Sequence, residues 1–261
     1  MKLPLYHIDA FTGRLFGGNP AAVVTLDEWL PDDVLQSIAA ENHVSATAFV
    51  IPREEKAPLR WFTAVTELDL CGHATLAAGH VLFGYHYPSQ THMTFSTRSG
   101  VIAVRRETDR VTLDFPARPG IRIDVSGDLV AALGAKPAEV YKARDILAVF
   151  DEEAVIRQLA PDMELVAKLD GLVVIASAMG GDVDFVSRCF APRAGIPEDP
   201  VTGSAHCTIV PYWAARLGKT TLSARQLSAR GGELACALRD DRVMIGGRLV
   251  EYLRGEITVP A

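Results

Sequence analysis

Cys71-Gly72-His73-Ala74-Thr75 stands in the first half of this chain and Asp199-Pro200-Val201-Thr202-Gly203-Ser204-Ala205-His206 in the second, and the relation between them decides the fold. Each follows an Arg-x-Phe step, Arg60-Trp61-Phe62 before the first and Arg188-Cys189-Phe190 before the second. From Arg60 to Cys71 is eleven residues, and from Arg188 to Asp199 is again eleven. The two arginines lie 128 residues apart in a chain of 261, close to half its length. Such a repeat implies a duplicated lobe, with two equivalent strand-to-helix corners facing each other. That geometry suits acting on one carbon from both sides, as an isomerase or racemase does.

The flanking sequence fits two similar halves. Leu5–Phe11, Ala21–Leu26, Thr47–Pro52 and Leu59–Thr63 read as strands, with a turn-rich loop at Gly13–Pro20 and a helix from Pro31 through Glu41. Ala74–Phe83 is apolar nearly all round, as a central buried helix should be. Thr91–Ser96, Val101–Glu107 and Arg110–Asp114 read as antiparallel strands. Phe115–Gly120 is the best linker, so the expected lobes are residues 1–117 and 118–261. The second half repeats the plan, and its Ser204–Leu217 helix matches Ala74–Phe83. The expected fold is α+β: two pseudo-symmetric lobes, each a curved, mostly antiparallel sheet around a buried helix.

Composition narrows the class. With 49% hydrophobic and 22% charged residues the chain is globular. A net charge of −6 argues against a nucleic-acid partner, which selects for a basic face. No apolar run reaches the ~18–20 residues of a membrane span, and the N-terminus lacks a secretory apolar core. The expected location is the cytoplasm, with reduced thiols. The four cysteines show no zinc spacing, and His7, His43, His80, His86 and His92 form no ligand cluster, so no metal is expected.

Gly72-His73 and Gly203-Ser204 each stand where a loop runs into a buried helix. The first N–H groups of a helix lack internal partners, and its dipole is positive there. Two such ends can hold a carboxylate and an enolate-like charge without a metal. Either corner alone reads as an ordinary helix cap; the matched pair favours function. His73, with an ordinary pKa of about 6.5, suits general acid–base work, against the plain alternative of a packing histidine. Asp199 is a second proton carrier or a turn aspartate. Cys71 is a thiolate base at a helix start or a small buried residue. Cys189, Cys207 and Cys236 read as packing, and His206 as pointing across its helix.

Gly18-Asn19-Pro20-Ala21-Ala22-Val23, Glu41–Phe49, Cys71–Thr75 and Asp199–His206 together resemble the PhzF-like isomerases of phenazine biosynthesis, which have the diaminopimelate-epimerase fold. The resemblance runs the full length in the same order. It implies two lobes with the site between them, a homodimer, a small carboxylate-bearing substrate and no cofactor. It gives His73, Asp199 and Ser204 roles in substrate binding and proton transfer. Asn19, Ser45, Gly72 and Gly203 would line the substrate.

One position departs. The family's principal proton carrier is a glutamate in Asn-x-Ser-Glu-Thr, and here Ala46 stands in that place, within Asn42-His43-Val44-Ser45-Ala46-Thr47. A methyl group carries no proton. Three readings stay open: a deliberate Glu-to-Ala change made to trap substrate, a natural variant using another base such as Cys71, or a protein that binds a small acid without turning it over. Cys-Gly-His also resembles the first motif of proline racemases, whose second cysteine would fall near Asp199, which argues against a two-thiol racemase.

Overall fold

The computed structural model describes residues 1–260 as two compact units, one of residues 1–114 with the chain from Gly246 onward, the other of Phe115–Ile245. In the first unit β1 (Lys2–Ala10) lies antiparallel to β2 (Asn19–Thr25). The chain crosses through α1 (Asp32–Asn42) so that β3 (Ala46–Val50) runs parallel to β2, and β3 then pairs antiparallel with β4 (Ala57–Phe62). A short β5 (Glu67–Leu68) folds back on β4 and leads into α2 (Gly72–Val81). A π turn at Leu82–His86 precedes the meander β6 (His92–Thr97), β7 (Gly100–Arg106) and β8 (Val111–Pro116).

Strand side chains alternate between faces, so one register assigns both sides of the sheet. Leu5, Ala22, Val24 and Phe49 pack on one side against Leu35, Ile38 and Ala39 of α1. Asn19, Ala21 and Val23 therefore point the other way, as do Ala46 and Ala48, which lie opposite Ala21 and Val23 on the parallel neighbour. Helix α2 lies against these strands, and all its residues but His80 are buried. Gly18 makes the reversal that starts β2: its φ is +62°, and a Cβ there would sit 2.1 Å from the Ala10 carbonyl oxygen.

The second unit contains β9 (Ile121–Ile123), α3 (Gly127–Leu133), β10 (Glu139–Lys142), β11 (Ile146–Val149), α4 (Glu153–Gln158), α5 (Met163–Val166), β12 (Val174–Met179), β13 (Phe185–Ala191), β14 (Ile196–Asp199), α6 (His206–Leu217), β15 (Thr221–Gln226), β16 (Gly232–Arg239) and β17 (Arg242–Gly247), which runs across the unit boundary. Strand β12 pairs parallel with β11 and antiparallel with β13, which also pairs with β14 and β15. Leu129, Leu133, Ile156 and Val166 of the small helices cover one face, meeting Val174, Ala176 and Phe190. On the other face Trp213 of α6 donates to Ser177 Oγ at 2.9 Å and stacks on Phe185. Pro211 lies inside α6 and has no N–H to give the Cys207 carbonyl. The linker fills that vacancy, Arg118 N–H donating to Cys207 O at 2.8 Å.

Two expectations need correction. The C-terminal residues, placed by sequence with the second lobe, form β18 (Leu249–Thr258), which pairs along β1 from Lys2↔Thr258 to Ala10↔Leu249 and belongs to the first unit. Helix α2 stops at Val81 rather than Phe83, its bonding widening into the π turn. No helix among the described residues is long and apolar enough to cross a membrane.

Candidate active site

The same pin precedes both corners. Arg60 donates through Nε and Nη2 to the two carboxylate oxygens of Glu67 at 2.7 and 2.8 Å, its guanidinium 5.1 Å from the Phe62 ring. Arg188 grips Glu198 in the same way at 2.7 and 2.9 Å, again 5.1 Å from its own phenylalanine, Phe190. In each hairpin the phenylalanine sits directly opposite the glutamate, Phe62↔Glu67 and Phe190↔Glu198. The Arg-x-Phe repeat is therefore a structural clamp, a bidentate ion pair backed by a ring.

Counting from the clamped glutamates corrects the match read from spacing. Gly72 follows Glu67 by five residues, and Gly203 follows Glu198 by five. The structural equivalent of Cys71 is Thr202, that of His73 is Ser204, and that of Asp199 is Leu68. The equal eleven-residue spacings arise because the second hairpin is three residues longer, at the 3-10 turn Pro192–Ala194.

At the first corner Cys71 is the extended residue before α2, and its carbonyl accepts from Thr75 N at 3.1 Å and Thr75 Oγ1 at 2.6 Å. Its sulfur lies 3.6 Å from His73 Nδ1. Burial pushes the His73 pKa down to about 4, so the ring is neutral at neutral pH rather than partly charged. Asn42 Nδ2 donates to Thr47 Oγ1 at 3.2 Å, closing the loop that carries half-buried Ser45. Ala46 is fully buried and faces the α2 side of the sheet, as does buried Asn19. The departure from the family pattern thus falls on the face that carries the first corner.

At the second corner Asp199 ends β14 opposite Cys189, so it belongs to a strand rather than to a plain turn. Thr202 Oγ1 donates to Asp199 Oδ2 at 2.7 Å. Fully buried Gln226 ties the corner together: its Oε1 accepts from Thr202 N at 2.9 Å, and its Nε2 donates to Asp199 O at 2.7 Å and to Thr202 Oγ1 at 3.2 Å. His206 Nδ1 lies 2.9 Å from Thr202 O, repeating the contact that Thr75 makes to Cys71 O. His206 therefore ties its ring back to the turn that precedes its own helix, and burial takes its pKa to about 4 as well. Gly203 is buried, and Ser204, half-buried, accepts from Arg144 Nη2 at 3.2 Å.

Burial raises the thiol pKa of Cys189 and Cys236 and pushes that of Cys207 up to about 11, which fits their reading as packing residues. No group of His, Cys, Asp and Glu among the described residues could hold a metal ion. Three residues escaped the sequence reading. Thr202 is visible once the glutamates rather than the arginines are aligned. Gln226 ends β15, a strand without a local sequence signal, and Arg144 carries no pattern that would single it out.

Residues 8–255 match the sequence profile of the family described as phenazine biosynthesis-like protein. An uncharacterized isomerase of Pseudomonas aeruginosa is 47% identical over 258 residues, covering 98% of this chain and 99% of that protein. The crystal structure of a PhzF-family phenazine biosynthesis protein from Enterococcus faecalis superposes with a TM-score of 0.97 at 45% identity, over 99% of this chain and 100% of the other. A hydroxyproline epimerase from Agrobacterium vitis, at 12% identity and a TM-score of 0.64 over 98% of this chain and 92% of its own, shares the fold alone. With the motifs, the clamped corners and these relatives in agreement, the chain belongs to the phenazine biosynthesis-like (PhzC–PhzF) family, whose members include proteins named as isomerases.

Proposed function

We propose that this protein is a cofactor-independent isomerase that moves a proton on a small carboxylate-bearing metabolite, a cyclic amino or hydroxy acid. The observation that carries the reading is the built corner at α6: Asp199 bound by Thr202, both held by buried Gln226, one turn from Gly203-Ser204. A carboxylate that accepts from Thr202 Oγ1, on a residue whose backbone carbonyl is held by Gln226, is suited to proton transfer at a set position. The helix starts at Gly72-His73 and at Gly203-Ser204 each offer N–H groups that suit a carboxylate or an enolate-like charge. A C–H bond beside an electron-withdrawing group breaks, its proton passes to His73 or Asp199, and a proton returns to another position of the same skeleton. No electrons are lost, so no redox partner is required. Neutral His73 enters the cycle as the proton acceptor, and Cys71, 3.6 Å away, is the neighbouring group able to take its place. The resemblance also supports a homodimer, which light scattering on the purified protein measures directly.

Substitution tests the assignment. On a substrate that exchanges a C–H proton with solvent, Asp199→Asn and His73→Ala each abolish exchange; unchanged rates in both variants refute it. The second reading rests on Ala46. A chain lacking the family's carboxylate is a metabolite-binding homologue that kept the site and lost the catalyst, and any turnover by the native sequence excludes it.

A further inference from the structure

We infer that Arg144 is the positioning residue for Ser204, setting that hydroxyl as an outward donor to an anionic group, so that the ligand of this corner is a carboxylate rather than a neutral amide or ester. The inference rests on the proposed function for its ligand, but its geometry lies within one unit. Arg144 stands in the turn between β10 and β11, closed by Ala143 N–H donating to Asp145 O at 3.0 Å. Its Nε and Nη2 donate to Asp145 Oδ1 and Oδ2 at 3.0 and 2.8 Å, and Asp145 is 1% exposed. A carboxylate so deeply buried requires a cation beside it, which anchors the guanidinium and prevents it from swinging into solvent. The same Nη2 donates to Ser204 Oγ at 3.2 Å.

A serine hydroxyl has one proton and two lone pairs. With a lone pair taken by Arg144, the proton is turned away from the guanidinium and toward whatever faces Ser204. Arg144 also adds positive charge behind that hydroxyl. A neutral ligand gains little from such a donor, whereas a carboxylate gains a charge-assisted bond. The two sequence-adjacent residues divide the work, Asp145 anchoring the guanidinium and Arg144 orienting the hydroxyl.

The test uses benzoate as probe and benzamide as its neutral match, with affinities measured by calorimetry on the purified full chain. Arg144→Met weakens benzoate by about tenfold and leaves benzamide unchanged, the size expected for one hydrogen bond to a charged group. Arg144→Lys, or added guanidinium ion with Arg144→Met, restores part of the loss. In a Ser204→Ala background Arg144→Met changes benzoate affinity less than twofold, because the effect passes through Ser204. A tenfold loss that persists in that background means that the arginine touches the ligand itself, and overturns the inference. If the native protein binds neither probe, the carboxylate reading of the site fails, and the positioning role is decided without ligand. Side-chain scalar couplings in labelled protein then report a single Ser204 χ1 rotamer in the native chain and averaging in Arg144→Met. Unchanged couplings overturn the inference on their own.

Discussion

Replacing Gln226 by alanine removes a side chain that joins β15 to the Asp199 corner. Thr202 N–H loses its acceptor at 2.9 Å, and the Asp199 carbonyl loses its donor at 2.7 Å. A buried polar group left without a partner costs about 1–3 kcal/mol, so the Thr202 N–H alone costs that much before the lost bond to Asp199 and the cavity are counted. At roughly 2–4 °C per kcal/mol for a chain of this size, Tm falls on the order of 10 °C. The assays are urea unfolding together with hydrogen exchange at the Thr202 amide, whose protection collapses in the variant. Gln226→Glu keeps the acceptor for Thr202 N–H but removes both donations from Nε2. The Thr202 amide therefore stays protected while stability still drops and Asp199 loosens. A loss below about 1 kcal/mol in Gln226→Ala, with Thr202 still protected, refutes the view that this glutamine holds the corner.

Stability should also depend on pH through His73 and His206, both taken from 6.5 to about 4 by burial. Between those values the unfolded chain binds protons that the folded chain does not, so folding is favoured fully above pH 6.5 and loses stability as pH falls toward 4. Each histidine accounts for roughly 3 kcal/mol of that loss. Urea midpoints at pH 7.5, 5.5 and 4.5 show the decline, and His206→Gln flattens it; equal slopes in native and variant protein contradict the assignment. Arg188→Met, which strips Glu198 of its bidentate partner and the carbonyls of Ile156 and Leu159 of their donors, destabilises by about 3 kcal/mol in urea unfolding. A double-mutant cycle with Glu198→Gln then gives a coupling above 1 kcal/mol, and additive losses count against the clamp.

Much of this architecture was legible in the chain because its signals are local. Helix α2 betrays itself by ten residues with scarcely a polar face, and α1 by apolar positions at helical spacing after Pro31. The family motifs carried the fold and brought His73, Asp199 and Ser204 into view. What stayed hidden depends on pairing between distant segments. Strand β15 buries Leu222, Ala224 and Gln226 on one side, and the glutamine breaks the apolar alternation that would have marked the strand. The return of β18 to β1 joins the two ends of the chain, and nothing local announces it. The mistaken pairing of Cys71 with Asp199 has a plain cause: a three-residue turn inserted between Arg188 and Glu198 happened to match the distance from Arg60 to Cys71. The charge state of His73 depends on burial, which spacing does not report.

The central claim is that this chain moves a proton with the residues it has, although Ala46 stands where the family resemblance implies a glutamate. The most direct measurement is deuterium uptake from heavy water into a panel of small amino, hydroxy and dihydroaromatic acids, including a dihydro-hydroxyanthranilate, by the native sequence and by Ala46→Glu. The account predicts uptake by the native protein, lost in Asp199→Asn. Uptake only after a glutamate is placed at position 46 would contradict it, and would leave a binding site that has lost its catalyst.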